Sequence, residues 1–231
     1  MKNNCCAYIL SLFPIYNNEK IKCFDSLTKE DSLYLYSTFL LNYKEILGSV
    51  SEEISYVYCL DQEDKDYLPE EFSELKSDIY WQDLSRENNF VELENKFFKN
   101  CRNNLVLFLD SIGFSSKDLL KAFNLLSIED DSMILGKTDK FKLSFFGFNK
   151  LDPEFFGKFN LNNLDFDTLL SGIPYNENFI HVLGNFMHIK DNTDFKNLYK
   201  ELSKKESYEY CSERIHGRFT NLFIEYKDLL K

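Results

Sequence analysis

Leu105-Val106-Leu107-Phe108-Leu109-Asp110-Ser111, followed by the segments 115–126 and Ser132-Met133-Ile134-Leu135-Gly136, is the stretch that decides the fold. Five apolar residues running straight into a carboxylate read as a buried parallel strand, because a strand covered on both faces shows no polar alternation. Residues 115–126 read as a helix, and 132–136 as the next strand. A carboxylate at the carboxyl end of a buried parallel strand is where open α/β sheets place ligand chemistry. Asp110 is therefore the first candidate site residue.

The same alternation extends in both directions. Residues 7–13 form an apolar run closed by Pro14, a first core strand, and 15–26 a polar loop. Thr28 precedes Glu30 and Asp31 as an N-cap precedes first-turn acids, and Leu33, Tyr36, Leu40, Tyr43 and Leu47 recur at helical spacing up to Gly48. Residues 54–60 read as a second strand, and the acidic run 61–66 as a solvated loop. Pro69 with Glu70 and Glu71 opens a helix, 79–82 is a short strand, 90–101 a helix, and 141–148 a further strand. Strands alternating with helices predict a three-layer α/β architecture with a mostly parallel, mixed sheet. Residues 191–202 and 208–230 are helical, the latter with an apolar stripe through Tyr208, Cys211, Ile215, Phe219, Leu222, Tyr226 and Leu230. That sets an α/β domain over 1–205 and an amphipathic helix over 206–231. The helix packs on its own domain or joins two copies in a homodimer.

Composition bounds the partners. The chain has 231 residues, a formal charge of −11 and 44% hydrophobic residues, enough for a substantial core. Its acidity argues against sequence-independent binding to nucleic acid or docking on anionic membranes. The apolar start, 5–13, is too short to span a membrane and lacks the basic flank of a signal peptide. Six cysteines without C-x-x-C or zinc-type spacing indicate unpaired thiols in a reducing compartment, hence a cytoplasmic protein.

The order of these elements, with Gly136 and the strand after it, resembles the glycosyltransferase-A-like, nucleotide-diphospho-sugar transferase superfamily. More closely it is similar to a bacterial glycosyltransferase-like family of poorly assigned function. Where that family carries Pro-Gly-Lys-Val-Lys-Thr-Arg-Leu after the first strand, this chain reads Asn18-Glu19-Lys20-Ile21-Lys22-Cys23-Phe24-Asp25. The resemblance implies that Lys20 and Lys22 face a nucleotide diphosphate, while Glu19 and Phe24 replace the Gly and Arg. The family's Gly-Asp-Leu-Gly-Glu-Arg-Met run appears as Asn88-Asn89-Phe90-Val91-Glu92-Leu93-Glu94, matching only at Glu92.

Asp110-Ser111-Ile112 stands where the family has Asp-Ser-Pro. The resemblance gives Asp110 a role on the nucleotide and as ligand of a Mg²⁺ or Mn²⁺ ion bridging the donor diphosphate. The family's Gly-Pro-Ala-Glu-Asp-Gly-Gly-Tyr-Tyr-Leu-Ile-Gly-Leu aligns without a gap from Gly136 to Phe148. Gly136 and Gly147 are kept, but the Asp-Gly-Gly core becomes Lys140-Phe141-Lys142. Asp139, one position early, is the only nearby substitute acid. Its side chain would point to the opposite face. Where the family has Asp-Ile-Asp-Thr-Pro-Glu-Asp-Leu, this chain has His188-Ile189-Lys190-Asp191-Asn192-Thr193-Asp194-Phe195, and His188 reads as a plain polar residue.

Scaffold positions match while polar site positions drift. The resemblance therefore implies a glycosyltransferase-A-like protein with impaired catalysis, retained for binding or interaction, with at most weak affinity for a nucleotide sugar. No catalytic residue is assigned. An active nucleotide-sugar-dependent glycosyltransferase using Asp110 and Mg²⁺ or Mn²⁺ is the alternative. A nucleotidyltransferase fits least, for want of a Gly-rich loop with Arg and Lys. Glu19, Phe24, Lys140 and Phe141 are expected to crowd the cleft beside Asp110.

Overall fold

The computed structural model describes residues 4–83, 89–138, 142–150, 165–173 and 179–230. Their strands are β1 (Cys5–Leu10), β2 (Ser55–Asp61), β3 (Ile79–Gln82), β4 (Asn103–Phe108), β5 (Ser111–Ile112), β6 (Ser132–Thr138), β7 (Leu143–Phe148) and β8 (Phe179–His188). They lie side by side in the order β3-β2-β1-β4-β7-β6-β8-β5. β1, β2, β3 and β4 are mutually parallel, and β7 runs antiparallel to β4 and β6. β8 is parallel to β6. The carboxyl ends of β1, β2, β3, β4, β6 and β8 thus share one edge of the sheet, and everything discussed below as a site sits there.

The helices are α1 (Lys29–Gly48), α2 (Asn89–Lys96), α3 (Ser116–Ile128), α4 (Phe166–Gly172), α5 (Asn192–Leu202) and α6 (Glu213–Glu225). Alternate residues of each strand face opposite layers. Ala7, Ile9, Leu105 and Leu107 pack with α1, α3, α5 and α6, while Tyr8, Leu10, Val106 and Phe108 pack with α2 and α4. The mixed, three-layer α/β arrangement is the one the sequence predicts. Thr28 caps α1 as expected, its hydroxyl accepting from the Asp31 amide at 3.1 Å, and Ser115 forms a capping box with Asp118.

Three sequence readings need correction. β8 and α4 were not foreseen at all. The helix expected over 208–230 is shorter: a 3-10 turn, Lys205–Glu209, precedes a break, and Ser212 restarts the chain as the cap of α6. The buried Ser207 hydroxyl, 3.0 Å from His216 Nε2, ties that turn to α6. The helix that Pro69, Glu70 and Glu71 are expected to open, over 69–75, is a 3-10 helix, Glu70–Asp78.

The stripe of α6 faces its own chain. Phe219 lies 5.6 Å from the Phe39 ring of α1, and Phe223 lies 5.2 Å from Phe195 of α5. Arg218 adds a 3.0 Å hydrogen bond to Thr38 and stacks over Tyr34. Phe219, at the centre of the stripe, and its neighbour Phe223 are both buried. Among the described residues no helix is long and apolar enough to cross a membrane.

All six cysteines are unpaired. At the opposite, amino edge of the sheet, a hydrogen bond from the Cys6 thiol holds Cys101 below the ordinary thiol range, whereas burial pushes Cys5 above it. The thiolate is the reactive form. Iodoacetamide should therefore label Cys101 at lower pH than Cys5, and peptide mass mapping across a pH series reads the order; the reverse order would contradict the contact.

Candidate functional site

After β4 the chain does not enter a helix directly. Leu109 and Asp110 turn, and β5 crosses beyond the ends of β7 and β6 to pair with the last residues of β8, Ser111 opposite His188 and Ile112 opposite Met187. The Tyr43 hydroxyl of α1 fixes this turn, lying 3.1 Å from the Phe108 carbonyl and 3.2 Å from that of Ser111. The Ile189 amide donates to the Asp110 carbonyl at 2.8 Å. Asp110 thus stands at the carboxyl edge as the sequence predicts, but buried and pinned between two strand ends.

What faces its carboxylate is the main departure from expectation. His188 Nε2 is 2.8 Å from Asp110 Oδ1, and the ring lies parallel to Phe108, centroids 6.0 Å apart. His188 was expected to be an unremarkable polar residue; it is instead the direct partner of the candidate ligand. The contact is short but off-axis, so neither ring nitrogen has a well-formed hydrogen bond among the described residues. Burial works to raise the Asp110 carboxyl, yet the charges of His188 and Lys190 outweigh it and hold the group below the usual carboxylate range.

Lys190 follows from the loop between β8 and α5. Partial desolvation lowers its ammonium below the ordinary lysine range. The neighbouring Lys142 and Lys22 push the same way, against Asp110 and Asp194. Three ammonium groups from three separate segments therefore share one locality. Lys142 Nζ is 3.6 Å from Asp194 Oδ2, and Lys22 lies over the Phe13 ring at 5.3 Å. Among the described residues no carboxylate forms an ion pair with Lys22 or Lys190. Beside them a cavity of about 660 Å³ opens between the end of β8 and α5, lined by His188, Asp194, Thr138, Asn197 and Lys200.

The loop after β1 holds a second surprise. The acidic run 61–66 was expected to be solvated, yet Asp64 is fully buried. Its Oδ2 accepts from the Ile15 amide at 2.8 Å, and its Oδ1 from those of Tyr16 and Asn17 at 2.7 and 2.9 Å. Successive amides converging on one point form an anion-binding nest. Here the chain's own carboxylate fills it. Burial pushes the Asp64 carboxyl above its usual range even though the three amides pull the other way. Lys20, read as a phosphate contact, is turned to this side and pairs with Glu63 at 2.9 Å.

Other expectations resolve individually. Phe24 does not crowd the cleft: it is buried against Phe195 in the core. Glu19 is exposed. Glu92 accepts a hydrogen bond from the Tyr80 hydroxyl at the β3 edge, and Trp81 packs half-buried on the core. Asn88, Asp139, Lys140 and Phe141 lie outside the described residues.

A Mg²⁺ or Mn²⁺ ion prefers several hard oxygen ligands. Asp110 supplies one carboxylate, already matched by His188, and the nearby ammonium groups repel a cation. Among the described residues no three His, Cys, Asp or Glu side chains converge to hold a metal. The described residues do not fit the ion that the resemblance implies.

The order of strands, the crossover after β4 and the acid at the sheet's carboxyl edge define a nucleotide-diphospho-sugar transferase fold. Solved structures agree. A Desulfovibrio desulfuricans G20 protein, provisionally assigned as a nucleotide-diphospho-sugar transferase, superposes with a TM-score of 0.72 at 17% identity, over 100% of this chain and 97% of that one. The 4-diphosphocytidyl-2C-methyl-D-erythritol synthase of Anaerococcus prevotii gives 0.53 at 13% identity over 95% and 96%. The inositol-1-phosphate CTP transferase of T. maritima gives 0.50 at 9% over 96% and 97%. No protein-family model matches the chain, and no curated protein does.

Proposed function

We propose that this chain keeps the nucleotide-diphospho-sugar transferase fold as a cytoplasmic binding protein with impaired transfer chemistry, taking a phosphorylated ligand weakly at the carboxyl edge. The observation that carries the reading is the Asp64 carboxylate in the amide nest of Ile15, Tyr16 and Asn17. Donors that would stabilise phosphate charge there are already spent on a buried side chain. Transfer from a nucleotide sugar requires stabilising the departing diphosphate, for which neither free amides at this nest nor a carboxylate cluster able to hold a divalent ion is present among the described residues. The six free thiols support the cytoplasmic setting.

The test is turnover. With UDP-, GDP-, CMP- and dTDP-sugars in Mn²⁺, nucleotide release should stay at the level of a protein-free blank. Release above the blank that disappears in Asp110→Asn would overturn the proposal in favour of an active glycosyltransferase.

Pairing of two copies through the stripe would have little left to bury, since Cys211, Ile215, Phe219 and Leu222 are already buried and Tyr208 is its one exposed member. A stable interface generally removes about 800 Å² per partner. The protein should therefore sediment as a monomer at micromolar concentration, and a concentration-independent dimer would refute this.

A further inference from the structure

The mismatch between the donor set and a divalent ion has a positive side. We infer that Lys190, Lys142, Lys22 and His188 take the place of the metal, so that the cleft at the carboxyl edge binds a diphosphate-bearing anion directly and without a divalent cation. The inference deepens the preceding reading, on which it rests for the locality, by naming the ligand class and how its charge is met.

Placement supports it first. Lys22 comes from the loop after β1, Lys142 from the start of β7, and His188 and Lys190 from the end of β8, all at the edge where strand ends converge on Asp110. Around Lys190 three ammonium groups meet two carboxylates, Asp110 and Asp194, and the adjoining cavity adds Lys200 and Lys204 against Glu201 and Glu206, which leaves the excess positive. On a chain of net charge −11 such a cluster is a local reversal of sign. Like charges gathered in a partly desolvated place repel unless an anion joins them.

The satisfaction of polar groups supports it next. His188 is buried to 6% exposure, lines the 660 Å³ cavity, and both its ring nitrogens lack a well-aligned hydrogen-bond partner. Buried polar atoms without partners are uncommon and call for an explanation. A phosphoryl oxygen would supply the acceptor that Nδ1 lacks. Lys22 and Lys190 remain exposed and unengaged by carboxylates among the described residues, so they can close on the same anion through charge-assisted hydrogen bonds. Asp110 then acts as an internal counter-ion that holds His188 and Lys190 in place; it is a positioning residue, not a ligand of the anion.

The experiment is calorimetric titration of the full chain with inorganic pyrophosphate, and separately with UDP, in EDTA and then in Mn²⁺. Pyrophosphate should bind in EDTA, with an affinity that Mn²⁺ does not improve beyond twofold. Tighter binding of UDP than of pyrophosphate would identify a nucleotide as the source of the diphosphate; equal binding would identify the inorganic anion. Lys190→Gln and Lys22→Gln should each weaken binding by about tenfold, the effect of one charge-assisted contact. Lys99→Gln, at the other edge and paired with Glu94, should leave it unchanged. Because Lys190 and Lys22 are exposed, near-UV circular dichroism of the variants should match the parent. Binding that appears only with Mn²⁺, no binding of either ligand in EDTA, or glutamine variants that bind like the parent would each overturn the inference. None of these results requires turnover, so a failure here is distinct from nucleotide release in the assay above, which would strike the impaired-transfer reading instead.

Discussion

Replacing Asp64 with Ala should destabilise the protein by about 3 kcal/mol or more, measured by urea denaturation, because three inward-facing amides lose their acceptor at once. No water can be counted on to replace it, since the carboxylate is fully buried. Asn at the same position should cost less. Its Oδ1 can still accept from Tyr16 and Asn17, while its NH₂ confronts the Ile15 amide donor to donor. The raised carboxyl range of Asp64 acts in the same direction, because burial already penalises its charge and a neutral side chain relieves that penalty. The expected order is parent, Asn, Ala. An Asn variant less stable than the Ala variant would show that shape, not amide satisfaction, holds the loop after β1.

That loop illustrates what local reading misses. Residues 61–66 look like any solvated acidic turn, and nothing in their composition distinguishes Asp64 from Asp66. The distinction arises only when β2 delivers the turn beside the end of β1, so that one carboxylate meets a ring of amides contributed 47 to 49 residues earlier. His188 reads as a plain polar residue for a related reason. Its partner is set by the two-residue strand β5, whose register with β8 no periodicity can reveal. β8 itself carries an irregular pattern, because its pairing with β6 slips between Gly136 and Thr138. A strand whose alternation is broken by such a slip does not announce itself at period two.

What was legible was the apolar scaffold. The run 105–109, ending on a carboxylate, sits in the middle of the sheet with every residue buried. The helical spacing from Leu33 to Leu47 and the Thr28 cap place α1 within a residue of its observed limits. Phe24 shows the converse error: compared with a basic residue at the same point of a resembled motif, it reads as an obstruction in a pocket, whereas a large aromatic in a loop over a core simply buries itself against Phe195. Resemblance locates a position along the chain but not the direction of its side chain.

The differences from the resembled motif are themselves ordered. Two acids of the resembled motif stand here as His188 and Lys190, and both face Asp110, an acid that matches. A lone buried carboxylate would be costly without compensation. The positive side chains at 188 and 190 supply that compensation within the chain, and they stand where a metal-dependent site would need carboxylates.

The second large effect is expected at Gly136. A Cβ there would fall 2.2 Å from the Phe145 ring, far inside any tolerated contact. The ring is itself buried and packed against Phe114 and Phe186, with centroids 4.9 and 5.1 Å away. Gly136→Ala must therefore push Phe145 into that aromatic cluster or open the β6–β7 pairing at its existing irregularity. Overpacking of a filled core costs about 1–3 kcal/mol, and this site belongs at the upper end. Phe186 lies two residues before His188 on β8, and Phe114 four after Asp110, so the displaced ring strains both arms of the Asp110 site. A stability loss of about 3 kcal/mol by denaturation should accordingly come with weaker pyrophosphate binding by the remaining folded protein. Adding Phe145→Leu, which withdraws the obstructing ring, should recover part of both losses in a double-mutant cycle. If Gly136→Ala leaves stability unchanged, the ring has room that the structure does not show. If stability falls and no part of it returns with Phe145→Leu, the clash with Phe145 is not its cause.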